Sequence, residues 1–229
     1  MKSVPRVFVD MPLKAGANLP LMPDQAHYLT RVMRADKFLA FNDGAEFECR
    51  AGRDRFKVVK ATGRADPSGE WTMYFAPIKK TEDLVSAVVQ MGAGRLVPII
   101  TERTVARNVN WDRVRRVIIE ATEQSGRNSL PELAPPVKFD EVDWKGVVFG
   151  DERQTKVESG VLRVELKQAG KSQLSTLNTP LLVGPEGGFS EGEFKALDMA
   201  GAVGVSLGAT ILRAEVAAVA LAAKYAGGG

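Results

Sequence analysis

The chain has 229 residues, 45% of them hydrophobic, which is ample for one large domain or two modest ones and excludes a disordered chain. No run reaches the roughly 20 apolar residues of a membrane helix, and the lone Cys49 and lone His27 exclude an intrachain disulfide and an ordinary several-ligand zinc site. The net charge of +3 is unevenly placed: residues 1–76 hold twelve Lys and Arg against nine Asp and Glu, whereas 77–229 balance at nineteen each, so a polyanionic partner would meet the first third first.

That first third alternates short β-like runs with turns: "RVFVD" (6–10), "EFECRAG" (46–52), "RFKVVKATG" (55–63) and "WTMYFAPI" (71–78), with "NDG" (42–44) as a hairpin turn. One helical stretch interrupts them, with Asp24 as its cap and Leu29, Val32 and Met33 on one face. The expectation is a small β-barrel over residues 1–70, on which Arg31, Arg34, Arg50, Arg53, Arg55 and Lys57 form either a phosphate-tracking face or a solvated charged one. His27 reads as a barrel-face or core histidine, because it lies far along the chain from the loops described below. "MKSVPRVFVD" lacks the apolar core of a signal peptide, so a reducing cytoplasm is the expected location.

"DPSGE" (66–70) has linker chemistry, and residues 71–229 then alternate helices with buried-looking strands, an α/β pattern. Thr81 opens a helix that Gly92 stops, "RLVPII" follows as a strand, and Asn110 caps a helix whose Val114, Val117, Ile118 and Ala121 form a stripe ending at Gly126. Three later apolar runs each end in a polar or glycine-bearing loop: "VVFGDER" (147–153), "LLVGPEGG" (181–188) and "VGVSLGATILR" (203–213). Ligands of parallel α/β sheets sit at the carboxyl ends of strands, so these three ends describe one pocket.

"GPEGGFS" is the richest of them. Gly187 and Gly188 permit positive φ and close backbone approach. Ser190 and Glu193 form a capping box, while Phe189 and Phe194 occupy the staple positions, which fixes the helix start in space. Neither a P-loop nor a G-x-G-x-x-G fingerprint is present, and Glu186 would repel phosphate. A carboxylate beside bare backbone suits hydroxyls, amines or a positive centre instead.

"VGPEGGFSEGEF", followed by "VSLGATILRAEVAAVALA", resembles the C-terminal signature of the 16S ribosomal RNA uridine-N3 methyltransferase family, a branch of the knotted S-adenosylmethionine-dependent SPOUT RNA methyltransferases. "RVFVD", "HYLTRVMR" with "FNDG", and "EATEQSGRNSLPEL" match the family pattern in order and spacing, so the resemblance spans nearly the whole chain. It implies a PUA-like RNA-binding β-barrel over residues 1–70 and a trefoil-knotted α/β methyltransferase domain over 71–229, dimeric in relatives. S-adenosyl-L-methionine would lie against Phe149 and Gly150, then Val183, Gly184, Pro185, Glu186 and Gly188, then Leu207, Gly208, Ile211, Leu212 and Arg213. Gln124 and Arg127 recur in the resemblance as RNA contacts, and Arg6, Arg31, Arg34 and Arg103 complete the candidate RNA-binding set.

Family members carry a Lys and a Glu where this chain has Ala87 and Gln90, and "LRTETA" is "LRAEVA" here, with Ala214 and Val216 for two threonines. Methylation at uridine N3 requires an unpaired base and removal of the imide proton. Arg127 or Arg213 would stabilise the uracil oxygens, and Glu186 or Glu215 would accept the proton, the choice being open at this level. The partner implied is ribosomal RNA of the small subunit, with neither metal nor membrane. Two rivals stand beside this: a non-catalytic RNA-binding or assembly protein that keeps the fold, and a nucleotide-dependent enzyme, which Glu186 and the missing P-loop lysine disfavour.

Overall fold

The computed structural model describes residues 4–66, 71–106, 108–155 and 179–226. Residues 67–70 of the expected linker and the trailing glycines 227–229 lie outside the described residues. Two compact units result: Met1–Ser68 together with Ile119–Leu130, and Gly69–Ile118 together with Pro131–Gly229.

In the first unit, β1 (Arg6–Phe8), β2 (Asn18–Pro20), β3 (Lys37–Asn42), β4 (Ala45–Ala51) and β5 (Arg55–Ala61) form a sheet in the order β1-β3-β4-β5-β2. Only the β1–β3 pair is parallel. The "NDG" turn joins β3 to β4 as expected: Asn42 faces Ala45, and Asp43 and Gly44 both take left-handed φ, +47 and +76, which matches the twist of a two-residue hairpin. One face of the strands buries Phe38, Ala40, Cys49, Phe56 and Val58 around Val7, Val9, Leu21 and Leu29. Phe38 and Phe56 meet edge-on at 5.4 Å. Burial pushes the Cys49 thiol up to about 11, so it stays protonated and serves as a small hydrophobe.

The helical stretch departs from expectation. Its α-helical part, α1, covers only Pro23–His27, and Tyr28–Val32 continue as a π-turn. Pro23 takes the first helical position, where its missing N–H goes unused, so Asp24 lies inside the first turn and is not the cap. Gln25 fixes the start instead, accepting from the Met22 N–H at 3.2 Å and donating to the Phe8 carbonyl at 2.8 Å. The wider π-winding breaks the 3.6-residue stripe. Of Leu29, Val32 and Met33 only Leu29 is fully buried, and Val32 is 60% exposed. His27 is exposed rather than a core residue.

The second unit holds a parallel sheet of β6 (Trp71–Phe75), β7 (Ala93–Ile100), β8 (Glu132–Leu133), β9 (Val137–Lys138), β10 (Val148–Gly150), β11 (Leu181–Val183) and β12 (Val203–Val205). The order is β12-β10-β11-β6-β7-β8, with β9 also on β7. Its helices are α2 (Thr81–Gln90), α4 (Glu191–Ala200) and α5 (Ala214–Tyr225), while α3 (Trp111–Ser125) passes from this unit into the first. Asn110 caps α3 as expected, its Oδ1 accepting the Arg113 N–H at 3.0 Å, and Gly126 ends it at φ +77. β11 is buried along its whole length, the pattern of a sheet covered on both faces. Phe139, Trp144, Phe149, Phe189 and Phe194 make an aromatic core beside it. Among the described residues no helix is long and apolar enough to cross a membrane.

Near the end of α3, Glu123 accepts the Phe8 N–H at 2.9 Å. Burial lifts its carboxyl above the ordinary range, against the lowering effect of that N–H; Glu120 adds to the rise and Arg6 opposes it. A raised folded-state value means that this group's contribution is fully present below the unfolded carboxylate value, about 4.3, and is lost as pH rises through the folded value. Glu123→Gln keeps an acceptor for Phe8 and removes the charge. Its urea midpoint relative to the parent is therefore expected to be most favourable at pH 7 and to lose that advantage on acidification; a variant equally displaced at both pH values would contradict this.

Candidate functional site

Because β10, β11 and β12 are parallel neighbours, their carboxyl ends emerge at one edge of the sheet. Phe149 pairs with Leu182 and Gly204, and Gly150 with Val205, which sets the three following loops side by side. Between them lies a cavity of about 450 Å³. Gly150, Val183, Gly184, Pro185, Glu186, Leu207, Ile211, Leu212 and Arg213 line it, together with Glu215. Phe149, Gly188 and Gly208, also expected here, are not among its lining residues. Phe149 is buried in the aromatic core behind the wall, and Gly188 owes its glycine to a left-handed φ of +67.

The backbone is bare where the wall is closest. A Cβ on Gly184 would come within 3.0 Å of the Phe189 ring, and one on Gly150 within 3.0 Å of Leu207 Cδ1. The loop from β11 into α4 is held as its sequence suggests. Ser190 N–H donates to Glu193 Oε2 at 2.8 Å, and Glu193 N–H to Ser190 Oγ at 3.3 Å. Phe189 and Phe194 pack edge-on at 5.6 Å as the staple. Two residues distant in sequence also hold the loop. Glu102 N–H donates to Glu193 Oε1 at 2.8 Å, and Arg103 Nη1 donates to the carbonyls of Gly187 and Phe189 at 3.0 and 3.3 Å.

The β10 loop carries residues that the sequence reading missed. Arg153 donates from Nε and Nη2 to buried Asp151 at 2.9 and 2.8 Å, reaches Asp198 on α4 at 3.0 and 3.1 Å, and lies 4.1 Å above the Phe194 ring. These two carboxylates hold the guanidinium firmly charged, and Arg153 in turn keeps Asp198 below the ordinary carboxylate range. Gln154 Nε2 ties the loop to the Gly204 carbonyl at 3.0 Å. The only signal was "GDER" itself, polar residues at a strand end, without their partners.

Lys79 and Lys80 also line the cavity, although no motif in the sequence marks them. The Lys79 N–H donates to Glu186 Oε1 at 3.3 Å, and Lys80 Nζ stands 3.8 Å from Glu215 Oε1. Arg213 precedes α5 as its N-cap residue without a side-chain cap bond. The cavity is thus lined both by apolar side chains (Val183, Phe189, Leu207, Leu212) and by charges of both signs (Glu152, Glu186, Glu215; Lys79, Lys80, Arg213). That suits a ligand with a flat, weakly polar ring and a zwitterionic or cationic tail.

The remaining candidates lie elsewhere. Arg31 and Arg34 are exposed in the first unit. Gln124 is exposed and Arg127 half-buried near the end of α3 in the same unit. Arg6 is a correction. All five of its N–H donors are engaged inside the unit, by Glu46 Oε1, the carbonyls of Thr122, Glu123 and Arg127, and Asn128 Oδ1, at 2.7–3.3 Å, and its side chain is 11% exposed. A guanidinium so committed is a structural clamp, not an RNA contact.

Residues 65–226 match the family model for the RNA methyltransferase domain. The chain is 29% identical to ribosomal RNA small subunit methyltransferase E of Rickettsia conorii, over 96% of this chain and 93% of that protein. It is 31% identical to ribosomal RNA small subunit methyltransferase E of Synechocystis, over 90% and 72%. Among solved structures it superimposes on ribosomal RNA small subunit methyltransferase E of Neisseria gonorrhoeae bound to S-adenosyl methionine, with a TM-score of 0.81 at 23% identity over 97% and 96% of the chains. A methyltransferase from Legionella pneumophila, solved with the same cofactor, gives 0.78 at 23% identity over 97% of each chain.

Proposed function

We propose that this chain, which belongs to the ribosomal RNA small subunit methyltransferase E family of RNA methyltransferases, transfers a methyl group from S-adenosyl-L-methionine to N3 of a uridine in 16S ribosomal RNA. The observation that carries this is the cavity at three adjacent strand ends, where Gly150 and Gly184 leave backbone exposed and a Cβ would crowd the wall. The lining residues fit the cofactor: the apolar side chains would take an adenine, and the carboxylates would take hydroxyl, ammonium and sulfonium groups. Bound there, S-adenosylmethionine supplies an electrophilic methyl group.

The chain's residues orient the base and manage its proton. A uracil entering the cavity would meet Arg213 and Lys80, whose charges would stabilise its oxygens as N3 loses its proton, and Glu215, beside Lys80, is the candidate acceptor. Glu186 is engaged by the Lys79 N–H and serves better as a cofactor contact. Arg127, Gln124, Arg31, Arg34 and Arg103 are retained as RNA contacts. A two-fold dimer belongs to this reading. α5 supports it: ten of its twelve residues are uncharged, and Val216 and Ala223 stand exposed. The trefoil knot that the resemblance implies and a cytoplasmic site of action belong to the same reading.

Calorimetric titration with S-adenosylmethionine, and tritiated-methyl transfer to small-subunit particles followed by nucleoside mass spectrometry, test the proposal. Cofactor at 100 times its dissociation constant is expected to stabilise the fold by about 2.7 kcal/mol, and the product nucleoside to be 3-methyluridine. Binding without transfer would favour the non-catalytic reading that Ala87 and Gln90 motivate; Gln90 is exposed and donates to Ser86 Oγ on its own helix at 3.1 Å. Binding of ATP in place of the cofactor would favour the nucleotide-dependent one.

A further inference from the structure

On the solvent face of the first unit's sheet, strand register sets three cations in a row. Lys37 on β3 pairs with Arg50 on β4, and Arg50 pairs with Lys57 on β5. Directly paired residues share a face, at the strand spacing of about 4.8 Å. All three are exposed, and none has a carboxylate within ion-pair distance among the described residues. Like charges directly opposite one another destabilise a sheet. The neighbouring row avoids that arrangement: Glu48 on β4 faces Lys60 on β5, with an ion pair of 3.3 Å. An uncompensated row beside a compensated one points to an anionic partner supplied from outside.

The row runs into a groove. Lys37 lines a cavity of about 450 Å³ with Val4, Pro5, Val32, Met33, Arg34 and Ala35. Val32 and Val4 are 60% and 54% exposed, apolar side chains left in water beside cations. The groove wall follows the π-turn Tyr28–Val32, and Arg34 adopts φ +50, uncommon outside glycine and asparagine. Arg31 stands exposed on the same turn; the nearest acidic neighbour in sequence is Asp36, whose carbonyl accepts the Ala51 N–H. An apolar slot rimmed by cations and continuous with a cationic row matches a single nucleic-acid strand: a base in the slot, phosphates along the row.

We propose that the row Lys37–Arg50–Lys57 and the groove at Val32–Lys37 bind one single-stranded RNA segment, with an unpaired base in the groove. This rests on the RNA substrate proposed above and assigns the face and the manner of its docking. The test uses the full chain and a short fluorescein-labelled single-stranded RNA, with anisotropy measured across a salt series. Substituting Lys37, Arg50 and Lys57 together by Gln is expected to weaken binding and to flatten the salt dependence by about 2, at about 0.7 per phosphate contact. The melting temperature should not fall, since repulsion has been removed. A control triple at Lys138, Lys145 and Lys195, also to Gln, removes the same charge and should keep the slope. Equal slopes in the two triples overturn the row. Ala35→Leu, filling the groove, is expected to weaken RNA while leaving inorganic polyphosphate binding intact; an equal effect on both overturns the base slot. An unmutated chain that binds no RNA overturns this and the proposed function together, whereas one that methylates small-subunit RNA as well with the row neutralised overturns the docking face alone.

Discussion

Arg6→Met is expected to lower the unfolding free energy by about 3–5 kcal/mol, the range for stripping one partner from a buried charge pair. Glu46 is the reason: its side chain is 3% exposed and Arg6 Nε binds it at 2.9 Å. Thr62 Oγ1 donates to its other oxygen at 3.0 Å, and Arg64 reaches only to 3.8 Å. Without Arg6 a carboxylate is left inside the unit with one hydroxyl and one distant cation. The same guanidinium donates to Thr122 and Glu123, two of the last carbonyls of α3, where a positive charge also suits the helix dipole. Its Nη2 holds Asn128 Oδ1 at 2.7 Å, and Asn128 in turn is fixed by Arg64 and Asp66. Urea unfolding would show the loss. The double variant Arg6→Met/Glu46→Gln is expected to recover part of it, because the buried charge disappears with its partner. A single variant within about 0.5 kcal/mol of the parent, the range of an ordinary surface change, would mean that the clamp contributes nothing.

Gly184→Val is expected to have the largest effect on cofactor affinity. Gly184 lines the cavity, and even a Cβ would press the Phe189 ring at 3.0 Å. Phe189 cannot give way, since it is 3% exposed and packed against Phe139, Phe149 and Phe194 at centroid distances of 5.6–6.1 Å. Overpacking of this kind costs about 1–3 kcal/mol, which leaves a folded protein with a filled wall. Gly188→Ala makes the contrast. Its strain is conformational, about 1–2 kcal/mol for a left-handed residue, and the atom its Cβ would meet is the carboxylate end of Glu152, a flexible side chain. Thermal melts should therefore show both variants destabilised, while calorimetry on the folded fraction should show S-adenosylmethionine affinity lost at Gly184→Val and largely kept at Gly188→Ala. Equal affinities in the two variants would sink the cradle at Gly184.

Much of the site was legible because it is made of local chemistry. Ser190 with Glu193, Phe189 with Phe194, and the glycines at the carboxyl ends of β10 and β11 act within a few residues of one another, so their spacing alone sets what they do. The same holds for Asp43 and Gly44 in the hairpin and for Asn110 capping α3. Periodicity failed at Val32, where a π-turn replaced the α-helical repeat that the stripe assumed.

Tertiary structure decided whatever depended on two distant segments meeting. Arg6 looks like any basic residue beside a strand until Thr122, Glu123, Arg127 and Asn128, more than 115 positions away, close around it. Arg153 takes its role from Asp198, and Lys80 from Glu215. Lys37, Arg50 and Lys57 become a row only through register, and a slip of one residue would send a side chain to the opposite face. A sequence specifies caps, turns and staples by short-range geometry. The partners of a charged side chain follow from chain pairing over long separations, which no local pattern encodes.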